Sequence, residues 1–246
     1  MVKNIIKNAC LVVIGNEILT GRTQDKNINH IAKELFKVGI LLNYVCIIPD
    51  IQKTIVKEIR RLKKDYNYVI TTGGIGPTHD DITAKSISIA VGREYRLHQG
   101  AFKELIKYYK KVNSELTDAR KKMAYMPLGS KLIKNKVSGA PGFNIENIYV
   151  FAGIPSIVEA MMAEFVNSIN NKNKFYSSSI ITKLFESKIA NILAIAEKNF
   201  KDVLIGSYPI FDDKPRGVEI VISSLFNKKN VQIAKKFIQT EINKII

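Results

Sequence analysis

The chain has 246 residues, of which 46% are hydrophobic and 24% charged, and it carries a formal net charge of +16 at neutral pH. This length allows one large domain, or a domain of about 150–180 residues with a small second one. No stretch approaches the roughly 18 consecutive apolar residues that a membrane span needs, and the first ten residues are too short and polar for a secretory signal. We therefore expect a cytoplasmic protein without a membrane contact.

The positive charge raises the question of nucleic-acid binding. Only seven of the basic residues are arginines, and the lysines are spread along helix-like segments without interleaved aromatic residues. The composition thus predicts a solvated basic surface that attracts anionic ligands, and no specific binding of DNA or RNA. The two cysteines, Cys10 and Cys46, lie in apolar runs, which is typical of free thiols in a reducing compartment.

Strand and helix patterns alternate over residues 1–169, which predicts a mostly parallel sheet covered by helices. Strands are predicted at residues 10–15, 41–48, 68–72 and 147–152. Helices are predicted at residues 27–38, from Asp50 to residue 64, up to about residue 91, and at 102–112, 117–124 and 156–169. Ser156 and Glu159 have the spacing of a capping box at the start of the last helix.

A polar run at residues 170–176 predicts a linker to a small α+β domain at residues 177–246. Its predicted strands are residues 177–186, 203–207 and 217–224, and its predicted helices lie near residues 189–200 and 230–245. About 70 residues make only a marginal hydrophobic core. We therefore expect this unit to dock on the main domain or on a second subunit, and the protein to be a homo-oligomer.

Unusual residues follow each of the four strands predicted in the main domain. These loops hold Gly15-Asn16-Glu17, then Pro49-Asp50, then residues 73–83, and finally Gly153-Ile154-Pro155-Ser156. In open α/β sheets, ligands bind beyond the carboxyl ends of the strands. If the four strands are neighbours, their loops therefore line one ligand site.

Residues 73–83 read Gly-Gly-Ile-Gly-Pro-Thr-His-Asp-Asp-Ile-Thr, directly after the third predicted strand. The three glycines allow positive φ and a close approach of the backbone, whose N–H groups can hold an anion. The glycine spacing fits neither a Walker motif nor a dinucleotide fingerprint. Because Asp80 and Asp81 would repel an anion, they suggest Mg²⁺ held by these carboxylates, Asp50 and a substrate phosphate.

Structural roles can also explain parts of these loops. The glycines would then make a tight turn, with Thr78 capping a helix and Asp81 supporting the cap. A second glycine-rich stretch at residues 138–143 allows a hairpin-like turn. It equally allows a ligand loop, in which Ser138 donates hydrogen bonds and Phe143 offers a stacking surface.

Residues 73–83 resemble the signature of the N-terminal domain of the competence/damage-inducible protein A family, which belongs to the wider MoaB/Mog molybdopterin-binding family. The same order of motifs continues through residues 15–21, Met126-Pro127, and residues 140–143 and 153–156. Gly206-Ser207-Tyr208-Pro209 resembles a stretch of the small domain that follows in these proteins. The N-terminal region of animal FAD synthases is similar, and the resemblance covers about residues 9 to 225.

The resemblance implies a three-layer α/β/α domain that binds molybdopterin or a nucleotide, with Mg²⁺ near the loop acids. By motif position, Asp50 and Asp81 match acids that matter for activity in Mog-type proteins, and we add Asp80 as a third catalytic candidate. Some relatives are credited with hydrolysing ADP-ribose or FAD at the pyrophosphate. Two functions follow: a Mg²⁺-dependent nucleotide pyrophosphatase, or a non-catalytic module for a small phosphorylated nucleotide or pterin. The residues assigned to ligand or phosphate binding are Gly73, Gly74, Gly76, Thr78, Thr83, Ser138, Gly153 and Ser156.

The sequence departs from the family pattern at two loops. Asn16 stands where an aspartate is common, and Ile154 stands where a proline is common. Because the chain ends at Ile246, we expect no nicotinamide-nucleotide amidase domain and no nucleotidyl-transferring domain of the kinds that longer relatives carry.

Overall fold

The chain folds as two units, which the computed structural model describes at residues 7–169, 175–212, 214–225 and 227–245, with the backbone alone at residues 212 and 214–216. Apart from Lys37, which is grouped with the second unit, the strands and helices up to Ser168 belong to the first unit, and those from Tyr176 onward belong to the second. Most of the predicted linker, residues 170–174, falls outside the described residues, and the domain boundaries stay a prediction. Within the described ranges, no helix is both long enough and apolar enough to cross a membrane.

The first unit alternates strands and helices in the predicted order. Its strands are β1 (Lys7–Ile14), β2 (Ile40–Ile48), β3 (Tyr68–Thr72), β4 (Tyr95–Leu97), β5 (Tyr125–Pro127), β6 (Lys131–Ile133), β7 (Gly142–Ile145) and β8 (Ile148–Phe151). Its helices are α1 (Asn16–Leu19), α2 (Asn27–Lys37), α3 (Gln52–Asp65), α4 (Thr83–Val91), α5 (Gln99–Lys111), α6 (Asp118–Lys121) and α7 (Pro155–Ser168). A 3₁₀ turn at Lys122–Ala124 follows α6.

The main sheet has the strand order β2-β1-β3-β8-β7-β6. The first four strands pair in parallel, and β7 and β6 add an antiparallel edge. Strands β4 and β5 form a separate antiparallel ribbon. The predicted mostly parallel sheet is therefore confirmed, and the loops after β2, β1, β3 and β8 leave the sheet at the same edge.

Helices cover both faces of the main sheet, which accounts for the apolar run in β1. Cys10, Val12 and Ile14 share one core with buried residues of α3 and α4. The intervening residues, Ala9, Leu11 and Val13, are also buried, and because successive side chains alternate across a strand they face the opposite side. There Phe165 of α7 packs against Phe151 of β8. A strand buried on both faces is apolar at nearly every position.

Short elements depart from the predicted pattern. Strands β4 to β7 and helix α1 have three or four residues each, which is too short for a hydrophobic period to show. The predicted capping box is wrong, because α7 begins at Pro155 with Ile154 as its N-cap and without a side-chain cap. Proline suits this first helical position because its φ is already helical and its missing N–H has no partner there anyway.

The second unit is a small α+β fold, as predicted. It contains β9 (Tyr176–Thr182), α8 (Glu186–Asn199), β10 (Leu204–Asp212), β11 (Lys214–Ser224) and α9 (Lys228–Asn243). The strands form an antiparallel sheet in the order β10-β11-β9. Its core joins residues such as Ile220 and Ile222 of the sheet to Ile189 of α8 and Ile238 of α9. Strand β10 runs past the predicted end at residue 207, because its pairing with β11 continues to Asp212.

Candidate functional site

A cavity of about 580 Å³, the main cavity, opens at the carboxyl edge of the parallel strands. The loops after β1, β2, β3 and β8 all contribute to its walls, together with the loop between β6 and β7. Of the predicted site residues, it is lined by Asp50, Gly73, Gly74, Gly76, Thr78, Asp80, Asp81, Ser138 and Gly153. Thr83 and Ser156 do not belong to this lining: Thr83 is fully buried, and Ser156 is exposed on α7.

The glycine loop after β3 needs glycine at its first two positions. Gly73 and Gly74 have φ values of 97° and 67°, a region that other residues seldom adopt. A Cβ on Gly73 would collide with the carbonyl oxygen of Ile14, and one on Gly74 would collide with the hydroxyl of Thr83. The loop backbone therefore packs closely against β1 and α4 at this point. Because both residues lack a side chain, the loop presents main-chain atoms to the cavity.

Backbone hydrogen bonds fix this loop and decide which N–H groups remain for a ligand. The N–H of Gly73 donates to the carbonyl of Phe151 (3.2 Å), and the N–H of Thr83 donates to the carbonyl of Gly74 (2.9 Å). Within the described chain, the N–H groups of Gly74 and Gly76 make no hydrogen bond. An anion at this loop would therefore meet Gly74 and Gly76 rather than Gly73.

Thr78 and the two loop acids form one turn rather than a helix start. Helix α4 begins only at Thr83, so the interpretation of Thr78 as a helix cap is wrong. Instead, the Thr78 N–H donates to Asp81 Oδ2 (2.8 Å), and its hydroxyl lies 2.5 Å from both Asp80 Oδ1 and Asp81 Oδ2. The hydroxyl also holds the pKa of Asp80 below its ordinary value. Thr78 thus positions both carboxylates at the cavity wall.

Asp50 faces the same cavity from the loop after β2. Its Oδ2 accepts the backbone N–H of Asn16 (2.9 Å), so the residue at position 16 supplies a main-chain donor whether its side chain is Asn or Asp. Burial raises the pKa of Asp50, with smaller upward contributions from the negative charges of Glu17, Asp80 and Asp81. Negative charge is therefore concentrated in the cavity.

This acidic wall suits a hard cation that a ligand helps to bind. Across the described ranges, no three His, Cys, Asp or Glu side chains are grouped as a metal site. Asp50 and Asp81 nevertheless present two carboxylates to one cavity, and Mg²⁺ is commonly held by one or two carboxylates plus substrate phosphates and waters. The donor set thus fits an ion shared with a phosphorylated ligand, and not one enclosed by protein alone.

Buried hydroxyl groups lie under the glycine loop. The Oγ1 atoms of Thr71, Thr72 and Thr83 have no hydrogen-bond partner among the described residues. Thr83 and Asp50 both approach Gly74: Asp50 Oδ1 lies 3.6 Å from the point that a Cβ of Gly74 would occupy, and Thr83 Oγ1 lies closer. Thr83 is therefore behind the loop and supports it, rather than reaching the cavity surface.

The loop before β7 has a mainly structural role. Strands β6 and β7 pair antiparallel, which confirms the hairpin-like turn, and Asn135 accepts the N–H of Ser138 (2.8 Å) to hold it. Ser138 does line the main cavity. The expectation that Phe143 offers a stacking surface is wrong, because its side chain is buried in the core.

Sequence reasoning did not assign several residues that line the main cavity: Glu17, Thr23, Tyr109, Met123 and Ile157. Glu17 follows β1, where the strand-end rule pointed to the loop but singled out no side chain. Tyr109 of α5 and Met123 of the 3₁₀ turn come from a segment that precedes the antiparallel edge, and no strand-end pattern indicates them.

Comparison with known proteins identifies the family of this chain. Residues 10–171 match the family described as "probable molybdopterin binding domain", and residues 174–246 match the middle domain of FAD synthase. A protein of Archaeoglobus fulgidus is 31% identical over 227 residues, which cover 92% of this chain and 95% of that protein. A protein of Pyrococcus furiosus is 37% identical over 215 residues, covering 81% of this chain and 84% of that protein.

A solved structure supports the same assignment. The protein CinA of Thermoplasma acidophilum, whose function is described as unknown, superimposes with a TM-score of 0.60 at 30% sequence identity. The match covers 65% of this chain and 96% of that one. The chain therefore belongs to the MoaB/Mog-type molybdopterin-binding domain family, joined to a unit of the FAD synthase middle-domain type.

Proposed function

We propose that the main cavity binds a small phosphorylated nucleotide or pterin, and that with Mg²⁺ the protein hydrolyses the pyrophosphate of a nucleotide compound such as ADP-ribose or FAD. The observation that carries this proposal is the meeting of Asp50, Asp80 and Asp81 with a bare glycine backbone in one cavity. Main-chain N–H groups attract phosphate, whereas carboxylates repel it. A divalent cation bound between the carboxylates and the phosphate would remove this repulsion, so that the phosphate can bind to the N–H groups.

Each group of residues in the main cavity would have a separate role. Gly74 and Gly76 would donate their N–H groups to phosphate oxygens. Thr78 would keep the Asp80 and Asp81 carboxylates in place, and Asp50 and Asp81 would hold Mg²⁺. The bound ion would neutralise charge on the phosphates.

Hydrolysis would break one bond of the pyrophosphate. A water oxygen bonds to one phosphorus, the bond from that phosphorus to the bridging oxygen breaks, and one proton of the water ends on the leaving phosphate. The products are two monophosphates. Carboxylates that hold a divalent cation would place its positive charge beside the phosphate oxygens, where a displacement of this type builds up negative charge.

A non-catalytic binding module is the second candidate. It is favoured by the absence, among the described residues, of three grouped metal-ligating side chains. Family membership supports pterin or nucleotide binding equally for both candidates. We further infer that the protein works in the cytoplasm, which agrees with two cysteines that remain free thiols.

The test is a turnover assay with ADP-ribose and FAD in the presence of Mg²⁺ or Co²⁺, in which the released AMP is measured. We expect turnover by the full chain and a loss of about a hundredfold or more in Asp81→Ala, because a carboxylate that positions the metal is gone. Asp65→Ala is the matched control, since Asp65 is an exposed carboxylate at the end of α3 and outside the cavity.

The outcomes separate the candidates. Asp81-dependent turnover supports the hydrolase. Ligand binding that Asp81→Ala abolishes, without any turnover by the full chain, supports the non-catalytic module. Equal binding and turnover in the full chain and a folded Asp81→Ala variant would remove this site from the function.

A further inference from the structure

A second cavity of about 570 Å³ lies next to the main cavity, and Asp81 lines both. We call it the tyrosine–lysine cleft, after Tyr95, Tyr125, Lys85, Lys121 and Lys122, which line it together with His79. A void of about 10 Å³ lies between the two cavities. Gly76 lines both this void and the main cavity, and Tyr125 lines both the void and the cleft. That volume holds no more than a water molecule. The cleft and the main cavity are therefore adjacent sites on either side of one turn.

The aromatic wall of the cleft is firmly supported. Tyr95 and Tyr125 come from β4 and β5, which pair as an antiparallel ribbon, and their ring centroids are 5.6 Å apart. Tyr125 is 37% exposed. Burial raises the pKa of Tyr95 to about 12, so this phenol stays uncharged at neutral pH. The cleft thus offers an uncharged aromatic surface against which a planar group can stack.

Two of the three lysines of the cleft make no ion pair with an acid of the described chain. Lys121 pairs with Asp118 (2.7 Å). Lys122 instead donates to the backbone carbonyl of Thr78 (2.5 Å), and Lys85, exposed on the first turn of α4, makes no ion pair within the described ranges. The cleft is therefore suited to an aromatic ligand with a negatively charged group.

We propose that the tyrosine–lysine cleft binds the second half of a pyrophosphate-linked dinucleotide whose first half occupies the main cavity. The base or flavin of the second half stacks on Tyr125, and its phosphate lies toward Lys85 and Lys122. The inference rests on the proposed function of the main cavity. It narrows the ligand class to dinucleotides with an aromatic group in each half, such as FAD, because AMP, ADP-ribose and a pterin monophosphate each carry one aromatic group and would leave Tyr125 without a stacking partner.

The experiment compares two probes by calorimetry with Mg²⁺: AMP, and the methylene analogue of FAD, in which a carbon replaces the bridging oxygen and prevents hydrolysis. We expect the analogue to bind the full chain more tightly than AMP does. Lys85→Ala and Tyr125→Ala should each weaken binding of the analogue about tenfold, in line with the loss of one stacking or phosphate contact. Both variants should bind AMP like the unaltered chain.

Lys57→Ala is the matched control, since Lys57 is an exposed lysine on α3 that lines neither cavity. If Lys85→Ala and Tyr125→Ala bind the analogue as Lys57→Ala does, the cleft is not a subsite and this inference fails while AMP binding still supports the main cavity. If neither probe binds the full chain, the proposed function itself fails. If Lys85→Ala and Tyr125→Ala weaken the binding of AMP and of the analogue equally, both residues belong to the site that binds AMP, and the inference also fails.

Discussion

The pKa values of two carboxyl groups in the main cavity, Asp50 and Asp80, are shifted in opposite directions because their surroundings differ. Asp50 is half-buried among other acids, which raises its pKa. Asp80 is exposed and accepts hydrogen bonds from the hydroxyl of Thr78 and from its own backbone, which lower its pKa. The folded chain thus binds a proton more tightly at Asp50, and less tightly at Asp80, than the unfolded chain does. Each shift has a consequence for stability.

We predict that Asp50→Asn raises the midpoint of thermal unfolding of the metal-free protein at pH 7. Ionised Asp50 destabilises the fold once the pH rises through its raised pKa, whereas below the ordinary value of 3.8 the cost is absent. An asparagine oxygen can still accept the N–H of Asn16. The gain should therefore shrink to nothing as the pH falls below that value, as scanning calorimetry across this range can measure.

Asp80→Asn is the contrasting variant and should lower the midpoint at pH 7. The stability that Asp80 contributes is present above its ordinary pKa and is lost as the pH falls through its lowered pKa. The same direction of change in both variants would contradict the opposite pKa shifts, which burial causes at Asp50 and the Thr78 hydroxyl causes at Asp80.

Single residues set the limit of what sequence could predict at the site. The strand-end rule placed Asp50, Gly74 and Asp81 at one edge, because parallel strands fix where loops emerge. It could not tell that Thr83 faces the interior, since this depends on how α4 packs under the loop. Ser156 lies outside the lining of the main cavity: Pro155 takes the first helical position, and the serine that follows is exposed on α7.

Elements with long apolar runs were predictable, and short ones were not. Strands β1, β3 and β8 are mostly buried between helices, so their sequences are largely apolar and stand out from the polar helices, whereas β2 at the sheet edge is a long apolar run of mainly half-buried and exposed residues. Strands β4 to β7 hold three or four residues each and have too few positions to show alternation. These short strands build the tyrosine–lysine cleft and the antiparallel edge, so neither could be predicted.

The packing of α7 on the sheet yields a stability prediction. Phe165 is 1% exposed, and its ring lies edge-on to those of Tyr149 (4.6 Å between centroids) and Tyr68 (5.8 Å). Phe165→Ala should cost about 3–5 kcal/mol, because a large buried ring is lost and a cavity remains. Urea denaturation measures the change. Leu128→Ala, at a 43% exposed position of the same unit, should cost less than about 1 kcal/mol.

A loss below about 1 kcal/mol for Phe165→Ala would mean that α7 does not seal this face of the sheet. The loop after β8, which forms part of the wall of the main cavity, would then be less firmly held than the structure indicates, because it leads directly into α7.

At the scale of the whole molecule, the net charge of +16 leads us to expect weak, unspecific contact with nucleic acid. Dispersed lysines release counterions but do not read bases. Fluorescence anisotropy with unrelated DNA and RNA duplexes at roughly physiological salt should give Kd values of about 10⁻⁶ M or weaker, and the Kd should rise steeply with added salt. A salt-resistant, sequence-selective complex would instead place nucleic-acid recognition among the functions of the protein.

The proposed function requires above all that a phosphorylated ligand contacts the glycine backbone of the main cavity. Amide chemical shifts of the ¹⁵N-labelled full chain, recorded during titration with AMP and Mg²⁺, test this contact directly. We predict that the Gly74 and Gly76 amides move most, because their N–H groups gain a phosphate partner, while the amide of Lys57 on α3 stays in place. Saturable shifts that leave Gly74 and Gly76 unchanged, or no saturable shift at all, would contradict the assignment of this cavity as the ligand site.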